Sequence, residues 1–191
     1  MPIICFEKKI ILIIQTRLKK LCLKNLTIPI SLQFNCKIYM MLYENLVFGS
    51  SGVIGTEFIN KLNIKNSLFT SRKKPITKKK IIWQKIDLDY NNLDKLPNKV
   101  KTIFFFASPY YTDKNLKMKD CFKKELLWLK KIIKNINCEK FVFTSSSSVY
   151  SNNHQIGIYK KKIEKELSLS KIKFIQIWRP FSLIGFNNRS L

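Results

Sequence analysis

The sequence contains little glycine, arginine or histidine, and its cysteines form no metal-binding pattern. Only five glycines and one histidine occur among the 191 residues, and the five cysteines include no CxxC pair. Zinc sites and disulfide frameworks need clustered ligands, so neither is predicted, and free thiols fit a reducing cytoplasm. We expect no metal. His154 lies in a polar stretch and is predicted to be an exposed loop residue rather than a catalytic one.

Long apolar runs are also absent. No run reaches the roughly 20 residues that a membrane-spanning helix needs, so no transmembrane segment is predicted. Hydrophobic residues nevertheless make up 46% of the chain and aromatic residues 13%, which argues against disorder. The length is that of one main domain.

The formal net charge of +24 arises from 36 basic and 12 acidic residues. A basic surface attracts phosphate, so nucleic acid is one partner to consider. However, only four of the basic residues are arginines, the residue type that reads bases and phosphates with two parallel hydrogen bonds. No nucleic-acid-binding motif accompanies the lysines. We therefore predict a solvated basic surface and no specific nucleic-acid binding.

Residues 1–40 form a basic N-terminal extension that differs from the rest of the chain. An apolar run, Ile10 to Ile14, is flanked by lysines, as in an amphipathic surface helix or a targeting segment, but no small-residue cleavage site follows it. The alternative is that translation naturally starts at Met40 or Met41. We favour that alternative, with one domain over residues 41–191.

From residue 45 onward, strand-like apolar runs alternate with helix-like segments, the order typical of a doubly wound parallel α/β sheet. One helix is indicated by apolar residues spaced by three and four from Phe122 to Ile136, with Asp120 as its N-cap. Six strands are predicted, at Leu46 to Phe48, Ser67 to Thr70, Ile81 to Ile86, Thr102 to Ala107, Lys140 to Thr144 and Lys173 to Trp178.

Three of the five glycines, Gly49, Gly52 and Gly55, lie in one seven-residue window between the first strand and a helix-like segment. In such a place the first glycine permits a tight turn, the second lets a pyrophosphate approach the backbone, and the third lets helix and strand pack closely. The helix N-terminus, with Val53 and Ile54, then offers amides and a dipole to the phosphates. This spacing predicts a Rossmann-type dinucleotide site.

The segment from Asn45 to Gly55 resembles the opening of the extended or atypical short-chain dehydrogenase/reductase family, which includes NAD-dependent epimerases and dehydratases and has the spacing GxxGxxG. Later segments agree in order, over residues 45–186. The matching segments are Asp87-Leu88 (the acidic residue near the adenine), Phe106-Ala107-Ser108 (the cofactor-lining turn), Phe141 to Tyr150 (the active-site serine segment) and Trp178-Arg179-Pro180 followed by Gly185.

The second strand ends in Ser71-Arg72 rather than in the carboxylate that would bind the ribose 2′-hydroxyl of NAD. A hydroxyl and a cation suit a 2′-phosphate, so NADP is preferred to NAD as the cofactor.

The resemblance implies a serine, a tyrosine and a lysine in catalysis, and we assign these to Ser146, Tyr159 and Lys162. A tyrosine needs a nearby cation to serve as a base at neutral pH. The family spacing is YxxxK, whereas Ile163 stands four residues after Tyr159; Lys162 is three residues away and still adjacent on a helix.

The resemblance further implies an NAD(P)-dependent oxidoreductase or epimerase/dehydratase-like protein acting on a nucleotide-linked sugar, with a homodimer compatible with it. The family normally continues into a substrate lobe, which would be largely missing here. The alternatives are a fragment of a longer enzyme, a split gene product, or a non-catalytic NADP-binding module.

Overall fold

A computed structural model of the chain describes residues 43–62, 65–90, 92–109, 117–151 and 153–181. All of them belong to the second of the two units into which the chain divides, Met40–Leu191. The predictions for residues 1–40 and for Gly185 lie outside the described residues. The strands are β1 (Asn45–Phe48), β2 (Ser67–Ser71), β3 (Ile82–Lys85), β4 (Lys99–Phe105), β5 (Asn137–Thr144) and β6 (Phe174–Trp178), and the α-helices are α1 (Val53–Lys61), α2 (Met118–Asn135) and α3 (Gln155–Ser168).

The six strands form one parallel sheet in the order β3-β2-β1-β4-β5-β6. Chain order reverses between β1 and β4, and a ligand of such a sheet binds beyond the carboxyl ends of the strands at this switch point. Phe48, the last residue of β1, pairs with Thr70 of β2 and with Phe105, the last residue of β4. The strands beside the switch point therefore end at nearly the same level.

Helices cover both faces of the sheet, because successive strand residues point to opposite sides. In β1, Leu46 and Phe48 belong to a core that includes Trp128 of α2 and Ile163 of α3. Val47 belongs to the opposite core, which includes residues of α1. The result is the predicted doubly wound α/β architecture.

Helix α2 is present, but its predicted N-cap is wrong. It begins at Met118, so Asp120 lies in the first turn and Lys117 occupies the N-cap position. The predicted stripe does contribute to the core: Leu129 and Ile136 are buried, and Phe122 and Ile133 pack against the core. The helix also buries Cys121, Glu125, Trp128 and Ile132. Phe122 in addition stacks on Tyr159 of α3. The apolar stripe thus serves partly for contact between two helices.

Candidate functional site

The turn after β1 is built around two glycines that admit no side chain. Gly49 has φ +77°, and a Cβ there would lie 2.4 Å from the amide nitrogen of Ala107. A Cβ on Gly55 would lie 2.4 Å from the carbonyl oxygen of Gly49. These two glycines allow the turn to press against the end of β4 and α1 to press against the turn.

Gly52 differs from both. It is exposed, and a Cβ on it would have Gly49 O, at 3.4 Å, as its nearest neighbour. The amide of Thr56 donates to Gly52 O (2.8 Å), the acceptor expected at the start of a helix. The amides of Val53, Ile54 and Gly55 precede this bond and have no intrahelical acceptor. Open space in front of such amides is what an anionic pyrophosphate requires.

Ser71, at the end of β2, is buried, and its hydroxyl contacts other protein groups. Its hydroxyl lies 2.9 Å from the Ser50 hydroxyl, accepts from the Trp83 indole (3.0 Å) and donates to Lys73 O (2.6 Å). The Ser50 hydroxyl also donates to Thr70 O (3.1 Å), so the two serines form one buried cluster with protein groups. Ser71 therefore ties the glycine turn to β2 and β3, and the exposed Arg72 beside it is the side chain available to a ligand.

Two further pairs of predicted cofactor residues lie at the same edge of the sheet. After β3, Asp87 Oδ1 accepts from the Asp89 amide (3.1 Å), and Leu88 is part of the core. After β4, Phe106 donates its amide to Phe48 O (3.0 Å), which brings Ala107 against Gly49. Ala107 and Ser108 are half-buried. The structure thus brings the glycine turn and the Ala107 segment into contact.

Ser146, the predicted catalytic serine, starts the 3₁₀ helix Ser147–Tyr150 that follows β5. Its Oγ accepts from the Ser148 amide (3.2 Å) and donates to Ser148 Oγ (3.1 Å). The side chain therefore caps this turn. Its position at the carboxyl end of β5 agrees with a role near a substrate, which stays a prediction.

The predicted tyrosine and lysine lie together on the side of α3 that faces α2. The Tyr159 ring stacks on Phe122 with 4.9 Å between centroids, and Lys162 Nζ lies 5.9 Å from the Tyr159 ring centroid. The contacts that α3 makes with the end of β5 come from other residues. Their catalytic roles therefore remain predictions without a contact to Ser146 in support.

Lys160 is the lysine of α3 that reaches β5. It is buried, and its Nζ lies 2.6 Å from Glu125 Oε1, 3.2 Å from Thr144 O and 4.8 Å from the Phe143 ring centroid. Sequence reasoning missed it among three consecutive lysines. A usable signal was present, because Gly157, Lys160, Ile163 and Leu167 recur at helical spacing and form the buried side of α3.

A second polar network links α3 to the ends of β5 and β6. The Arg179 guanidinium donates to both carboxylate oxygens of Glu164, from Nε (3.0 Å) and Nη2 (2.7 Å). Ser145 donates to Glu164 Oε1 (2.5 Å), and Arg179 Nη1 donates to the Tyr150 hydroxyl (3.2 Å). Burial raises the pKa of the Glu164 carboxyl, but the hydrogen bonds from Arg179 and Ser145 outweigh this, and the pKa lies below its ordinary value. Glu164 is therefore ionised at neutral pH and holds Arg179 in place.

Gly157 near the start of α3 is a further feature that sequence reasoning missed. A Cβ there would lie 1.9 Å from the carbonyl oxygen of Ser148. The helix backbone thus rests directly on the turn that carries Tyr150.

Comparison with known proteins gives matches to solved structures. No protein-family model and no curated protein sequence matches the chain. A GalE-like L-threonine dehydrogenase from Cupriavidus necator matches with TM-score 0.55 and 10% identity, over 71% of this chain and 53% of that one. Pen from Bacillus thuringiensis matches with TM-score 0.51 and 18% identity, over 71% and 49%. MoeE5, solved with UDP-glucuronic acid and NAD, has TM-score 0.49 and 20% identity, over 71% and 54%.

The fold is therefore a Rossmann fold, as the glycine motif predicted. The chain spans about half the length of the matched structures. No helix in the described part of the chain is both long and apolar enough to cross a membrane.

Proposed function

We propose that this chain binds a nicotinamide dinucleotide with its pyrophosphate on the turn from Gly49 to Gly55. The observation that carries the proposal is the contrast between Gly52 and the other two glycines: a Cβ on Gly49 or Gly55 would overlap backbone at 2.4 Å, whereas Gly52 is exposed and its Cβ would come no nearer than 3.4 Å to Gly49 O. A turn that needed glycine only for backbone packing would not require glycine at position 52. The amides of Val53 and Ile54 would hold the phosphates, and the nicotinamide would supply hydride transfer when bound.

We further propose NADP as the preferred dinucleotide. Arg72 and Lys73 are exposed at the end of β2, and neither β2 nor its next three residues contain a carboxylate. A guanidinium binds phosphate through charge-assisted hydrogen bonds, whereas a carboxylate at this position would repel it. Ser71 is buried among protein partners, so the preference rests on the cations.

The substrate class that we propose is a nucleotide-linked sugar, oxidised or epimerised at a hydroxyl or carbonyl group. This part follows from the resemblance of the motifs at residues 45–55, 141–150 and 178–180, and the carboxyl ends of β5 and β6 are where such a substrate would meet the nicotinamide.

A second candidate is a non-catalytic NAD(P)-binding module, which one observation favours. If the buried Lys160 is the lysine of the YxxxK pattern, the tyrosine position falls on Ile156, which has no proton to transfer. Lys160 is also engaged by Glu125 in a buried ion pair.

Titration of the purified protein with NADPH and NADH, followed by nicotinamide fluorescence, tests cofactor binding. Saturable binding of NADPH, tighter than that of NADH, is the expected result; failure of both to bind refutes the proposed function. NADPH oxidation with a panel of aldehydes, ketones and keto sugars then separates the two candidates. Turnover supports the enzyme, and binding without turnover supports the module.

A further inference from the structure

An exposed tyrosine is held by a fixed cation at the carboxyl edge of the sheet. The Tyr150 side chain is 68% exposed and ends the 3₁₀ helix that follows β5. Arg179 contacts it twice: Nη1 donates to the hydroxyl, and the guanidinium carbon lies 5.6 Å from the ring centroid. This network serves no packing purpose for Tyr150, whose ring remains largely in solvent.

Arg179 is itself held rigidly. Its two hydrogen bonds to Glu164 form the paired arrangement that fixes a guanidinium plane, and the Ser145 hydroxyl fixes the carboxylate. Lys160 adds positive charge near Glu164 and favours its ionised form. Since Arg179 donates to the phenol oxygen, it does not use the hydroxyl proton of Tyr150, which is left for another acceptor such as a substrate oxygen.

Topology places Tyr150 beside the reactive half of a bound dinucleotide. In this strand order the adenosine half lies toward the end of β2 and the pyrophosphate on the turn after β1. The other half then extends over the ends of β4 and β5. Tyr150 follows β5 and Arg179 follows β6, so both lie on this side of the switch point.

We propose that Tyr150 is the proton donor to the substrate oxygen, with Arg179 as its positioning residue. The inference rests on the proposed function. In carbonyl reduction, hydride from the reduced nicotinamide forms the new C–H bond as the C=O π bond breaks. The carbonyl oxygen takes the Tyr150 proton, the cofactor is left oxidised, and Arg179 stabilises the phenolate until solvent returns a proton. In the oxidative direction Tyr150 accepts the proton.

Tyr159 lacks this arrangement. Its recorded ring contacts are with Phe122 and with Lys162, whose ammonium group lies over the ring. A cation over the ring holds the side chain, but within the described ranges no charged group donates to the Tyr159 hydroxyl as Arg179 does to Tyr150.

Chemical footprinting tests the placement without relying on turnover. The protein is acetylated with N-acetylimidazole alone, with NADP⁺ and with AMP, and modification of Tyr150 is followed by mass spectrometry. NADP⁺ should slow acetylation of Tyr150 several-fold, whereas AMP, which carries only the adenosine half, should leave it unchanged. Equal protection by AMP, or none by NADP⁺ at concentrations that saturate the fluorescence titration, overturns the inference and leaves cofactor binding intact. Absence of NADP⁺ binding refutes the proposed function itself.

Kinetics of four variants, Tyr150→Phe, Tyr90→Phe, Arg179→Lys and Tyr159→Phe, test the chemistry, with the carbonyl panel as substrates. Tyr150→Phe should lower kcat by about 100-fold or more with little change in KM and in NADPH affinity, because general acid catalysis contributes at least this much. Tyr90→Phe, at a tyrosine that is 70% exposed, is the matched control and should retain activity. Arg179→Lys should lower kcat and alter the pH profile. A loss confined to Tyr159→Phe, or no turnover by the wild-type protein, overturns the proposal.

Discussion

Substitution of Gly52 by aspartate should weaken cofactor binding without lowering the stability of the fold. Gly52 is the N-cap of α1 with φ −77°, and a Cβ there would lie 3.4 Å from Gly49 O, its nearest neighbour, so a side chain fits without backbone strain. Aspartate is a better N-cap than glycine by a few tenths of a kcal/mol, and a negative charge at a helix N-terminus adds about 0.3–1 kcal/mol. The melting temperature should therefore stay the same or rise by about 2–4 °C.

The same carboxylate would occupy the place of the pyrophosphate and satisfy the amides of α1 itself. Each charge-assisted hydrogen bond lost is worth about 1.5–3 kcal/mol, so the loss of two corresponds to at least about 100-fold in affinity. NADPH fluorescence titration and thermal denaturation on the same samples measure both quantities. Wild-type affinity in Gly52→Asp would refute the assignment of the pyrophosphate to this turn.

Two companion variants sharpen the comparison. Gly52→Asn has nearly the same shape without the charge, so the difference between it and Gly52→Asp isolates electrostatic repulsion from steric exclusion. In Gly55→Ala the added Cβ would meet the backbone at 2.4 Å. Such overpacking costs roughly 1–3 kcal/mol or more, and this variant should lose stability. Equal melting temperatures for Gly55→Ala and the wild type would contradict the packing role of Gly55.

Four further outcomes are expected. Arg72→Ala should lose most of the preference for NADPH over NADH, about 10- to 100-fold for one charge-assisted contact, and equal wild-type affinities would exclude NADP selectivity. A chain starting at Met40 should keep its melting temperature and cofactor affinity; aggregation would show that the preceding residues are structural. Lys160→Met leaves Glu125 buried without its cation and should cost about 3–5 kcal/mol in urea denaturation, with recovery in the double variant Lys160→Met, Glu125→Gln. The pKa of Glu164 is lowered on folding, so its contribution to stability is present above its ordinary value near 4.5 and is lost as pH falls through the lower folded value. The stability difference between wild type and Glu164→Gln should therefore shrink in acid, and a constant difference would contradict the network.

The strands were predictable because each is a short apolar run bounded by turn residues, and all six predictions overlap the observed strands. The residues at which the strands begin and end were harder to predict. β4 ends at Phe105 rather than Ala107, since the next residues leave the sheet to meet the Gly49 turn, and β5 begins at Asn137, where an isolated Asn-Cys-Glu segment gives no apolar signal. Local pattern predicts that a strand exists, whereas neighbouring strands determine where its pairing stops.

The glycine turn was predictable for the same local reason, since three glycines at fixed spacing have few other uses. The catalytic lysine was harder to assign, because Lys160, Lys161 and Lys162 are consecutive and differ only in the side of the helix on which each side chain lies. The phase of α3 is set by Gly157 against Ser148 and by Ile163 and Leu167 in the core. The burial of Ser71 among protein partners could not be read from the sequence at all. Ser50 lies in the turn after β1 and Trp83 lies in β3, and both meet Ser71 only in the folded chain.

The contact of Gly157 with Ser148 has a mechanical consequence. No side chain separates the first turn of α3 from the 3₁₀ turn that carries Tyr150, so the two cannot slide past each other without breaking backbone contact. Close-packed elements of this kind move as units rather than deform continuously. Any opening of the structure beside Tyr150 would then require the displacement of the whole of α3. The rate of that displacement, rather than of a side-chain rotation, would govern the entry of a ligand at this end of the sheet.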